Sequence, residues 1–128
     1  MDKWIQLQSS DGVNNLFPVS KMDLLWENET PTSSFAAQDI AVDLSKYTRI
    51  YITMKLVNTS SDTNYMDYIV LKDQRRLLWS NATFIYIRHI TCSDTKVNVE
   101  AGYKVTTYNG SLTQDNTVMI PYKVYGLA

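Results

Sequence analysis

The sequence has one cysteine, one histidine, four glycines and three prolines in 128 residues, and each scarcity removes a class of explanation. A lone Cys92 closes no intramolecular disulfide and cannot gather the thiolates of a zinc site. A lone His89 builds no histidine cluster, and neither H-E-x-x-H nor C-x-x-C occurs. Gly12, Gly102, Gly110 and Gly126 lie too far apart for a phosphate-cradling loop, so nucleotide chemistry has no motif. Charge of one sign is missing too. Twelve Lys and Arg against thirteen Asp and Glu leave a formal charge of −1, which provides no field for drawing in nucleic acid or an anionic membrane. No eighteen apolar residues run together, and Met1-Asp2-Lys3-Trp4-Ile5-Gln6 has no apolar signal-peptide region. A soluble chain without a secretion signal or membrane insertion is expected.

What is present is enough for a core. Hydrophobic residues make up 45% of the chain and aromatic ones 12%, which excludes disordered and collagen-like classes. A chain of this length is expected to form one domain over residues 1–128, burying about two thirds of its unfolded surface without a disulfide, metal or cofactor.

The dominant period is two, as the alternating faces of a half-buried strand require. Ile50, Ile52, Met54 and Leu56 alternate with Tyr51, Thr53 and Lys55. Val97, Val99, Ala101, Tyr103 and Val105 alternate with Lys96, Asn98, Glu100 and Lys104, and Val118, Ile120, Tyr122 and Val124 repeat the pattern. Further strands are expected at 3–8, 13–20, 36–44, 65–72, 75–80 and 83–92, all rich in β-branched and aromatic residues. Ser20 is a potential cap for a short helical turn reaching Leu25. Turn signals at Asp11-Gly12, Asp73-Gln74, Asn81-Ala82, Ser93-Asp94-Thr95 and Asn109-Gly110 separate the runs. Many short strands with short turns predict an all-β, jelly-roll-like antiparallel sandwich with little or no helix.

If successive strands are antiparallel, segments 27–35, 58–64, the turn near Asn81 and 109–116 share one end of the sandwich. Loops on a rigid scaffold are where binding commonly resides. Asp62, Asn64, Tyr65, Tyr108, Asn109 and Asp115 are therefore the candidate ligand-binding residues, because tyrosine rings beside carboxylates and amides suit a sugar face and its hydroxyls. The opposing reading is that solvated loops are simply polar. Outward-facing Tyr51, Met119 and Tyr125 are candidates for an oligomer interface, since a contiguous apolar stripe marks a contact surface.

No catalytic constellation emerges, and an enzyme is not expected. His89 and Cys92 fall three apart on one strand, so their side chains point to opposite faces, and Cys92 reads as a small core residue. Asp39 and Asp43 share a strand face at about 13 Å, too far for an inverting glycosidase pair. Asp62-Thr63-Asn64 opens like a calcium loop but lacks the glycine and terminal glutamate that follow in one. Lys72, Arg75 and Arg76, diluted by Asp73, read as charge that keeps a turn soluble. The N-x-S/T sequons at Asn28, Asn58, Asn81 and Asn109 read as loop chemistry rather than glycosylation.

Leu25-Trp26-Glu27-Asn28 followed by Pro31-Thr32-Ser33-Ser34-Phe35-Ala36-Ala37-Gln38 resembles a small β-domain of tail-fibre, baseplate and other appendage proteins of tailed bacteriophages and prophages. Val42-x-Leu44-Ser45-x-Tyr47, the terminal Ile120-Pro121-x-Lys123-Val124-Tyr125-Gly126, and Asp11-Gly12 with Asn15-Leu16-Phe17-Pro18 are similar to the same group. The resemblance covers about residues 11–47 and 118–126, and it carries no catalytic motif. It implies a virion structural protein made in the bacterial cytoplasm. That protein would be a homo-oligomer, with a trimer favoured, would contact other virion proteins, and would bind a host-cell glycan through its loops. The alternative is a decoration or assembly module that binds only protein partners. Independently of the resemblance, Trp26 and Phe35 flanking Pro31 can pin that loop onto the core.

Overall fold

A computed structural model describes residues 2–8, 14–20, 22–61, 64–74, 76–81 and 84–128, with side chains described over 22–61, 64–74 and 84–128. The described residues are all β with no helix, in antiparallel sheets. β1 (Asp2–Gln8) and β2 (Asn14–Ser20) form a hairpin. β3 (Met22–Glu27), β5 (Arg49–Val57), β6 (Tyr65–Leu71) and β12 (Val118–Leu127) form a four-stranded sheet in the order β3-β12-β5-β6. The second sheet holds β4 (Gln38–Ala41), β7 (Arg76–Asn81), β8 (Phe84–Cys92), β9 (Lys96–Val99), β10 (Tyr103–Thr106) and β11 (Leu112–Gln114). Residues 22–27 are a strand rather than the tail of a helical turn. There Leu24 and Trp26 take ladder positions on β12 that a helix would leave unfilled.

The alternating residues do what their period dictates. Ile50, Ile52 and Met54 from β5, Val70 from β6, Ile90 and Cys92 from β8, and Val97 and Val99 from β9 interleave between the sheets and are almost fully buried. Burial of this kind is worth about 1.5–3 kcal/mol for each large side chain.

Two strands depart from the simple alternation. The stretch expected to run unbroken from Lys96 to Val105 bends at residues 100–102, so β9 and β10 are two halves of one bulged strand along β8. The extra residue switches faces: Val97 and Val99 enter the core, whereas Tyr103 and Val105 pair with Ile87 and Ile85 on the outer face. β12 shifts register after Pro121, the kind of position a central-strand proline requires because it cannot donate to the ladder. Segment 109–116, expected to be loop throughout, contains β11 after a turn in which Gly110 adopts φ 67°.

The sandwich is fastened by one arginine. Arg88 is completely buried. Its Nε donates to the Met119 carbonyl (3.2 Å), and its terminal nitrogens donate to the carbonyls of Phe35 (2.9 Å), Glu100 (2.9 Å), Val118 (3.0 Å) and Asn116 (3.4 Å). The guanidinium also lies 5.9 Å from the centre of the Phe35 ring. Burial lowers its pKa to about 10, with Asp115 acting in the opposite direction, so it stays protonated at neutral pH. Lys72 has a similar part at the far end. It is a half-buried clip rather than a solvated charge, donating to the carbonyls of Leu44 (3.0 Å) and Tyr47 (2.8 Å) and pairing with Asp94 (2.6 Å).

Candidate functional site

The loop rim is the end at which the sequence placed the candidate ligand-binding residues. Backbone hydrogen bonds from Phe35 to Asn116 (2.8 Å) and from Asn58 to Thr117 (3.0 Å) draw segments 27–35, 58–64 and 109–116 to one end, while the turn after Asn81 lies outside the described residues. The Trp26 and Phe35 rings meet edge to face at 6.1 Å. Buried Asn28 donates to the Pro121 carbonyl and accepts from the Thr30 amide. The Leu25–Gln38 run that carries the family resemblance is thus spent on anchoring this joint.

The polar groups of the rim are largely engaged with one another. Asp115 accepts from the amide and hydroxyl of Thr117 and pairs with Lys104. Although burial works to raise its pKa, those contacts hold the carboxyl below its ordinary value. Asn109 accepts from Ser111 N and the Thr106 hydroxyl, closing the β10–β11 turn. Tyr108 at that turn is 87% exposed. Asn64 is exposed and its carbonyl accepts from Leu56 N. Asp62 lies outside the described residues.

Tyr65 belongs elsewhere, to the outer face of the four-stranded sheet, where five of the seven exposed large hydrophobic side chains among the described residues gather: Met22, Leu24, Tyr65, Ile69 and Leu71. Register places Leu24, Tyr125, Tyr51 and Ile69 in one row straight across four strands. Met22 and Leu71 stand at the two ends of the neighbouring row, which Leu127 and Arg49 complete. Leu24 is 50% exposed, Ile69 49%, Met22 48% and Leu71 47%. Between them the Tyr51 and Tyr125 rings meet edge to face at 6.0 Å. The Tyr51 hydroxyl donates to Asp67, which together with partial burial raises the phenol above its ordinary pKa.

On the other side lie Glu27, Lys123, Thr53 and Asp67, and beyond them Tyr65 and Tyr122, with ring centres 5.3 Å apart. Lys123 Nζ sits 5.1 Å above the Tyr122 ring. Thr53, Tyr65, Tyr122, Lys123 and Tyr125 line a shallow groove of about 310 Å³. Beneath its edge, buried Lys55 donates to the carbonyls of Val57 and Thr59 and lies 5.9 Å from the Tyr65 ring centre.

Met119 is not part of this face. It is fully buried in the core, a correction to the expectation that it points outward. Its backbone adopts φ 50°, the left-handed region that few non-glycine residues occupy. Alternation fails there, and Val118, Met119 and Ile120 are all buried.

The remaining reactive groups are held apart. Cys92 is in the core, and burial, with Asp73 adding to it, pushes its thiol up to about 11. Arg88, Ile90 and Cys92 share the inner face, while half-buried His89 falls between them on the other. The thiol is expected to be inert to a disulfide reagent in the native protein at mildly alkaline pH and to titrate fully in denaturant. Rapid native labelling would mean that the core opens around β8. Among the described residues, no group of three or more His, Cys, Asp and Glu is placed to hold a metal ion.

Comparison with protein families, with curated proteins and with solved structures finds no match for the chain.

Proposed function

We propose that this protein is a structural module of a phage or prophage virion that assembles with copies of itself through the outer face of the four-stranded sheet. One observation carries the reading: Leu24, Tyr125, Tyr51 and Ile69 form a continuous row across the sheet, flanked by Met22 and Leu71, and its outer members are about half exposed. Leucine, isoleucine and methionine gain nothing from water and little from a sugar, but they pack well against another apolar surface. The two tyrosines at the centre are the residue type that dominates contact energies. The placement in a virion comes from the family resemblance alone. Cyclic closure is the ordinary way to hide such a stripe, and the preference for a trimer comes from the resemblance.

The loop rim supports a host-surface role less well, because Asn109 and Asp115 direct their polar atoms into their own turns.

Light scattering on the purified chain at micromolar concentration tests the proposal. The expected particle is a small multiple of 14.7 kDa, with three copies favoured. Tyr51→Asp or Ile69→Asp is expected to return it to a single chain with its circular dichroism unchanged. A 14.7 kDa particle for the unaltered chain would overturn self-assembly and leave a different protein as the partner of this face.

A further inference from the structure

The bulge that bends β9 into β10 leaves a notch on the opposite side of the sandwich. β4 pairs with the bent strand only along Lys96–Val99, and β11 only along Tyr103–Val105. Among the described residues no strand ladder covers the edge at residues 100–102, where Gly102 bonds to Asp115 N and Asn116 Oδ1 instead, and a groove of about 410 Å³ opens beside it. That is within the range of small-ligand sites. We infer that this groove, lined by Gln38, Asp39, Asn98, Glu100 and Tyr103, is a binding site for a neutral saccharide.

The chemistry of the lining selects that class. The two Asp39 carboxylate oxygens accept from Asn98 Nδ2 (2.8 Å) and Lys96 Nζ (3.1 Å). Each therefore has its position fixed and keeps acceptor capacity, which is what a pair of adjacent hydroxyls needs. Gln38 Nε2 is tied to the Ala36 carbonyl (3.1 Å), fixing the plane of a second amide at the rim. Ala37, Val99 and Ala101 keep the floor low, and the half-buried Tyr103 supplies an apolar flank for the C–H face of a sugar ring. Charge sets the rest. The Asp39 carboxylate, held by Lys96 and Asn98, takes hydroxyl donors and disfavours a second carboxylate or a phosphate beside it, so neutral sugars are preferred. None of these residues belongs to the tyrosine face, so the inference stands apart from the assembly reading.

The test is amide-resolved NMR of the full chain, titrated to high millimolar concentration with glucose, galactose, mannose and N-acetylglucosamine, and with galacturonic acid as the charged comparison. At least one neutral sugar is expected to give saturable shifts confined to residues 37–39 and 98–103, and galacturonic acid none. Asp39→Ala and Tyr103→Ala should each weaken binding about tenfold, the loss that goes with one hydrogen bond to a charged group or one apolar flank. The isosteric Asp39→Asn, which keeps the fold, should weaken it as well. No saturable shift with any neutral sugar would overturn the inference. So would equal binding of galacturonic acid, shifts at Tyr65 and Tyr122 instead, or affinity untouched by these substitutions.

Discussion

Replacing Arg88 by leucine is expected to abolish folding, or at the least to remove about 4 kcal/mol of stability. Its guanidinium serves five backbone carbonyls, from Phe35, Glu100, Asn116, Val118 and Met119, and its bonds to Phe35, Val118 and Met119 are buried, so an apolar side chain there strands those three. A buried polar group left without its partner costs about 1–3 kcal/mol, so even three such losses approach the roughly 5–15 kcal/mol that holds an ordinary domain together. Exchanging a buried ion pair for hydrocarbon is often harmless because both partners vanish together. Here the acceptors are main chain and stay behind. Arg88→Lys keeps the charge but has three donors for five carbonyls on a shorter reach, and is expected to cost about 2–4 kcal/mol. Urea titration followed by circular dichroism reads both values. A leucine variant within about 1 kcal/mol of the parent would show that the carbonyls find other donors.

The second large effect is expected at Gly102, on the rim of the same cluster. A Cβ built there lies 2.3 Å from the Asp115 carbonyl oxygen and 3.1 Å from Arg88 Cζ. The nearer obstacle is backbone, held in place because Asp115 N donates to the Gly102 carbonyl at 2.7 Å and Asn116 Oδ1 accepts from Gly102 N at 2.9 Å. It cannot swing aside as a flexible side chain would. Gly102→Ala should therefore cost about 3 kcal/mol, the upper range for overpacking, and lower the melting temperature by roughly 10 °C. The cost should carry over nearly whole into the Arg88→Lys background, because the shorter side chain leaves the carbonyl of residue 115 where it was. If the lysine variant erased it, the guanidinium rather than the backbone would be the obstacle.

How far the sequence could be read followed how regular each strand is. β5, β6 and β8 fall within a residue of their expected bounds, because alternation alone specifies a strand with one face in a core. The failures sit where the chain breaks period two. Gly102 interrupts the Val97–Val105 pattern and Pro121 interrupts the last one, and both are residue types that mark bulges. Met119 left no comparable mark, since nothing about a methionine announces a left-handed backbone. Arg88 was in view all along: four residues before Cys92 on one strand, it had to share the inner face with a residue already read as core. Of the candidate sites, the outward placement of Tyr51 and Tyr125 follows from parity, whereas their pairing depends on β12 lying beside β5. The partnership of Tyr65 with Tyr122 depends on the β12 bulge and could not be foreseen. The groove at Asp39 and Tyr103 was equally hidden, because it exists only where a strand that reads as continuous is bent.

The placement of β12 sets a timetable. It lies between β3 and β5, and its Val118 pairs with Val57 of β5, so two of that sheet's three ladders cannot form until the latest-made strand arrives. At about 5–20 residues per second, the about sixty residues separating these partners take roughly 3–12 seconds to synthesise. Throughout that interval β5 can pair with β6 on one edge only, and its other edge is open to any unpaired strand nearby, including the same segment on a neighbouring ribosome. Crowded translation of one message is then the moment of greatest risk for this protein, and slower initiation, not slower elongation, is what should raise its soluble yield.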